Sequence, residues 1–95
     1  MPWKEISLED LAKSLGANLA EIREKQKLID LIIKVRRKRH LSQASLAKRL
    51  SVTQSRIAQI ESGIGTSKIT FDVLLGILIN LGYDFHIVIK EKVAA

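Results

Sequence analysis

Thr53, Gln54, Ser55 and Gln59 place two hydroxyls and two amides around Ile57 and Ile60, which recur at helical spacing. If this stretch is a helix, the isoleucines face inward and the four polar residues share the outer face, at its N-terminal end and one turn later. Such a face can hydrogen-bond base edges, since a glutamine amide donates and accepts at once, as adenine requires. An ordinary polar face of a helical hairpin would offer the same groups to water, and charge separates the two readings. From Lys34 to Lys68 nine basic residues (Lys34, Arg36, Arg37, Lys38, Arg39, Lys48, Arg49, Arg56, Lys68) stand against Glu61 alone, giving this stretch +8 and the rest of the chain −2. A polyanion would gain from that excess by counterion release. Cations complementing the carboxyl end of a helix dipole account for one or two of Arg36 to Arg39, but not for Lys48, Arg49 and Arg56.

The elements that must hold this face can be read on either side of it. Leu46, Ala47 and Leu50 lie on one face of a helix opened by Ser42, and Thr53 opens the second. Val52 is expected to anchor the intervening turn in the core. Ala47 allows a close crossing, and Gly63 stands where a left-handed helix stop is cheapest. Leu19, Ile22, Leu28, Leu31, Ile32 and Val35 predict a long helix capped by Asn18 and running to about Arg39, with Glu21, Arg23, Glu24, Lys25 and Lys27 on its solvent side. Before it, Ser7 and Asp10 resemble a capping box, and Leu8, Leu11, Ala12 and Leu15 predict a short helix stopped by Gly16. After Gly63 a loop carries Lys68. Thr70 then caps an apolar helix from Phe71 to about Leu81 that completes the core. Beyond Gly82 the period changes: Tyr83, Phe85, Ile87 and Ile89 alternate with Asp84, His86, Val88 and Lys90, as in a strand. No second strand is visible, so pairing with the same strand of another copy across a two-fold axis is expected. A flexible tail, or strand addition to a different protein, are the alternatives.

Composition bounds the rest. The 95 residues, 46% of them hydrophobic, suit one domain with one core, divided into an extension at 1–26, a core at 27–82 and a dimerisation strand at 83–91. The absence of cysteine excludes disulfides and thiolate chemistry. With no signal-like segment and no apolar run long enough for a bilayer, a cytoplasmic protein without membrane contact is expected. Enzyme chemistry finds no support: His40 and His86, the only histidines, fall in separate elements without a cysteine or carboxylate constellation. Ser42, Ser45 and Ser55 suit caps and polar contacts. Gly63-Ile64-Gly65-Thr66 lacks the length and lysine of a phosphate-binding loop, and no cofactor is inferred.

The run from Val35 to Leu81, with Arg36, Leu41, Ser42, Gln43, Leu46, Ala47, Leu50, Val52, Ser55, Ile57, Ile60, Glu61 and Gly63 at matching places, resembles the Cro/cI or Xre-type helix-turn-helix family. The resemblance implies an all-α, five-helix, lambda-repressor-like domain, to which the readings above add an N-terminal helical extension and a C-terminal strand expected to pair across a homodimer. It implies that Thr53, Gln54, Ser55 and Gln59 contact bases of a palindromic double-stranded operator. Gln43, Arg56 and Lys68 then contact phosphate, Gln43 also bracing the second helix, and Arg36 and Glu61 form a structural ion pair. Ser51 departs from the glycine usual in the turn and adopts the required backbone at some cost.

The extension and the Leu-Gly-Tyr followed by an alternating strand are similar to antitoxins of the HigA type. That resemblance implies a repressor of its own operon that neutralises a RelE/HigB-like toxin, with Trp3, Leu8, Leu11 and Leu15 as a toxin-facing surface. A phage-like or stand-alone regulator, and a protein-interaction module without DNA binding, are the competing readings.

Overall fold

The computed structural model describes residues 8–91, and side chains from residue 19 onward. The chain order is α1 (Leu8–Lys38), α2 (Gln43–Leu50), α3 (Gln54–Glu61), a 3-10 turn (Thr66–Lys68) and α4 (Phe71–Asn80). Ile29, Ile32 and Val35 of α1 meet Leu46 and Ala47 of α2, Ile57 and Ile60 of α3, Ile69, and Leu74, Ile77, Leu78 and Leu81 at α4. These residues form one core. Burying a side chain of this size contributes about 1.5–3 kcal/mol, and this is what holds three short helices that would be marginal alone.

Helix starts follow local chemistry. Ser42 Oγ accepts the Ser45 N–H at 2.9 Å and Thr53 Oγ1 accepts the Arg56 N–H at 3.1 Å, each satisfying a donor that its helix cannot. Thr70 occupies the same position before α4 but makes no such cap bond. A hydrogen bond from Thr70, with others from the amides of Asp72 and Val73, instead holds the exposed Asp72 carboxyl below its usual range against a small opposing effect of burial.

The ends of α1, α2 and α4 share one motif. His40 and Ser51 adopt left-handed backbone (φ 56° and 58°), as does Gly82 (φ 91°). At each, the residue that follows donates back across the last turn: Leu41 to Arg36 O at 3.0 Å, Val52 to Ala47 O at 2.9 Å, Tyr83 to Leu78 O at 3.0 Å. This is the Schellman closure. It confines the α2 to α3 connection to three residues, despite a non-glycine residue at the left-handed position.

Three expectations are corrected. The described residues contain four α-helices rather than five, because the short helix ending at Gly16 and the long helix capped by Asn18 are one continuous α1. An interior glycine costs about 1 kcal/mol but does not break a helix, and good helix formers on both sides outweigh it. Tyr83, Phe85, Ile87 and Ile89 form no strand within the single chain. A strand needs a hydrogen-bonding neighbour and the described residues offer none; Tyr83 is engaged in closing α4, with the Arg39 guanidinium 5.5 Å from the centre of its ring. Val52 is 42% exposed rather than a core anchor, and with Ile57, Ile60 and Val73 it edges an open groove between α3 and α4. Trp3 lies outside the described residues, as do the side chains of Leu8, Leu11 and Leu15.

Candidate nucleic-acid interface

The outer face of α3 is built by what its inner face buries. Ile57 and Ile60 are each 2% exposed, and with their positions set, Thr53, Gln54, Ser55 and Gln59 all fall on the exposed side. Thr53 caps the helix through its oxygen and keeps its O–H to donate. Gln54 and Ser55 stand in the first turn, where a helix presents itself end-on to a groove. Gln59 has its amide oxygen held by Arg56 Nη1 at 3.2 Å, which leaves the amide nitrogen as its outward donor. Gln54 is therefore the better placed of the two for a bidentate contact to adenine.

The far end of α3 is clamped. Arg36 Nε and Nη2 donate to the two oxygens of Glu61 at 2.7 and 2.8 Å, Arg36 Nη1 donates to the Leu41 carbonyl at 2.9 Å, and Gln43 Nε2 donates to Glu61 at 3.1 Å. One carboxylate thus joins the end of α1, the start of α2 and the end of α3. The two charged side chains are only 11% and 7% exposed, so their charges must be compensated within the protein. Burial would raise the Glu61 carboxyl, but hydrogen bonds from Arg36 and Gln43, with the charges of Arg36 and Arg37, outweigh it and hold the carboxyl below its ordinary range. The hydrogen bond to Glu61 raises the Arg36 guanidinium against the opposing effect of its own burial. Gln43 sits at the first residue of α2 and donates one N–H of its amide to this clamp, leaving the second N–H for another acceptor.

Exposed cations stand on the elements that precede and follow α3 in the chain. Arg37, Lys38, Arg39, Lys48 and Lys68 are exposed at the ends of α1 and α2 and on the 3-10 turn, and Arg56 is half-buried along α3. A short helix with its polar face outward, a tight turn and a bracing helix, within a strongly basic stretch, is the combination with which an all-helical unit can enter a major groove. The family model described as helix-turn-helix matches residues 32–88, more than half of the chain.

The chain belongs to the helix-turn-helix family. No curated protein and no solved structure matches it. The helix-turn-helix is a DNA-binding regulatory domain, and α2 and α3, joined by the tight turn within the matched residues, are its two helices. Among the described residues no helix is long and apolar enough to cross a membrane, and no group of His, Asp and Glu side chains is arranged to hold a metal ion.

Two residues, one in the helix-turn-helix and one before it on α1, escape a reading by pattern. Arg49, counted with the basic surface, donates from Nε and Nη2 to the side chain and carbonyl of Asn80, both at 3.0 Å, tying the end of α2 to the end of α4. Lys25, expected on the solvent face of α1, is 3% exposed. Its place four residues after Glu21 is the one sequence signal of a partner.

Proposed function

We propose that this protein is a sequence-specific transcriptional repressor that binds a palindromic operator as a homodimer. The observation that carries the reading is the exposure of Thr53, Gln54, Ser55 and Gln59 together on a helix whose opposite face is buried and whose end is clamped, within the stretch that holds the +8 charge excess. The cations supply affinity through phosphate, with Arg56 and Lys68 as contacts and Gln43 at the start of α2 as a further one. The α3 face supplies base preference.

The dimer is supported by the C-terminal segment. Phe85, Ile87, Val88 and Ile89 are 47%, 72%, 68% and 88% exposed, and antiparallel pairing with a second copy would supply the backbone partners this apolar segment lacks within the described residues and cover the Phe85, Ile87 and Ile89 face. A dyad between two such units sets two α3 helices on successive major grooves. The finer reading, an antitoxin of the HigA type that represses its operon and neutralises a RelE/HigB-like toxin, is supported by the resemblance of the extension and the terminal segment. Trp3, Leu8, Leu11 and Leu15 are the surface proposed to face the toxin.

Fluorescence anisotropy with duplex DNA at two salt concentrations tests DNA binding: affinity falling steeply with salt is expected, and undetectable binding at low salt would overturn the reading. Light scattering on a chain ending at Asp84, which keeps the Tyr83 closure of α4, tests the dimer. A truncated chain that stays dimeric moves the interface elsewhere. Co-purification from the native host with a basic, RelE-like partner is the result the antitoxin reading requires.

A further inference from the structure

We propose that Lys25, on the part of α1 that precedes the matched helix-turn-helix, is a positioning residue for the loop that presents Lys68 to the DNA backbone. This rests on the DNA-binding reading for its consequence, but not for the contact itself. Lys25 is 3% exposed as a residue, and leaving the charge of a buried side chain unpaired is costly. Its surroundings are specific: Glu21 at 3.3 Å, the Ser67 carbonyl at 3.3 Å, and the Phe71 ring with its centre 5.3 Å away. Only Glu21 belongs to α1. The other two stand on the 3-10 turn and at the first residue of α4, so one cation spans the segment between α3 and α4.

The bond to Ser67 has a consequence for its neighbour. The Ser67 carbonyl and the Lys68 N–H belong to one planar peptide, and both ends of that plane are held, the carbonyl by Lys25 and the N–H by Gly65 O at 2.9 Å. The orientation of this plane sets where the Lys68 side chain leaves the backbone. The next residue of α1 reinforces the arrangement, because the Gln26 side chain reaches to 3.1 Å of where a Cβ on Gly63 would stand, at the loop's other end. Lys25 lies outside residues 32–88, so this loop is held from beyond the matched domain.

Stability and positioning can be separated. Lys25→Met keeps the apolar stem and removes the charge, and such replacements of buried ions are often near neutral for stability. Glu21, with 48% of its side chain exposed, can return to water. The expected effect is therefore a folded chain with a released 67–68 peptide. Hydrogen exchange on the free, full-length protein reads this directly. Protection at the Lys68 and Ile69 amides is expected to fall by about tenfold or more, while Val52 in the α2 to α3 turn keeps its own. Unchanged loop amides would overturn the proposal.

The DNA arm uses a cycle. Lys25→Met and Lys68→Ala should each lower the salt slope by about 0.9 per protomer, and the double variant should lower it no further than either alone. Additive losses would overturn the proposal. Lys25→Met and Arg56→Ala, on separate elements, should add. If the wild-type chain shows no salt-dependent binding, the DNA reading fails while the exchange arm still decides whether Lys25 holds the loop. Lys25→Gln, which keeps a neutral donor on a shorter stem, takes the same measurements should the methionine variant not fold.

Discussion

Removing one side of the Arg36–Glu61 clamp should do more damage than removing both. In Arg36→Met the Glu61 carboxylate, 7% exposed, keeps only the Gln43 amide as a charge-stabilising donor, and the Leu41 carbonyl loses its partner. Breaking a buried pair from one side costs about 3–5 kcal/mol. A domain of this size has a total stability of roughly 5–14 kcal/mol, so the single variant loses a large fraction of it, and Tm should fall by between about 12 and 40 °C. Arg36→Met with Glu61→Met replaces the pair by apolar volume and leaves only the neutral Gln43 amide and the Leu41 carbonyl to find new partners, at about 1 kcal/mol each. It should unfold within about 2 kcal/mol of wild type. Urea unfolding of the wild type, both singles and the double measures the coupling. A single-variant loss below about 1 kcal/mol, or a double equal to the sum of the singles, would refute the clamp. The same pair predicts acid sensitivity. Because Glu61 is depressed in the folded state, its contribution is fully present above the unfolded carboxylate value and is lost as pH falls through the folded one. Glu61→Gln should flatten that part of the stability profile below about pH 4.5.

Other expectations follow from single residues. Ser51→Gly should raise stability by about 1 kcal/mol, read as a Tm increase of roughly 4–8 °C, because a left-handed φ of 58° is costly for serine and nearly free for glycine; a lower Tm would remove the strain argument. Gln54→Ala should cost about 1–3 kcal/mol on the preferred site in anisotropy titrations with little change on random duplex, and equal losses on both would take base reading away from Gln54. Arg56→Ala should weaken all sequences alike and flatten the salt slope. An unchanged slope would assign the side chain to orienting Gln59 alone.

What was legible in the sequence was local. Ser42 and Thr53 announce helix starts because the capping oxygen acts on an amide three residues away, within the same stretch of chain. The inward faces of α2, α3 and α4 were legible for the same reason, through the spacing of Leu46, Ile57, Ile60, Leu74, Ile77 and Leu78. Gly16 misled because a lowered propensity is not a break when both flanks favour the helix. The contacts that shape the surface proposed to face DNA are of another kind. Arg36 and Glu61 are 25 residues apart and Lys25 and Ser67 are 42 apart, and nothing periodic relates them. The first pair was accessible only through family resemblance, and the second not at all. Lys25 occupies a position that solvent would cover on an isolated helix; it is buried because the 3-10 turn and Phe71 lie over it. Burial of a charge is thus set by the element that lands on it. A polar helix face read from one stretch of chain is an upper limit on what water reaches, and on this fold the difference is a cation placed under the loop that carries Lys68.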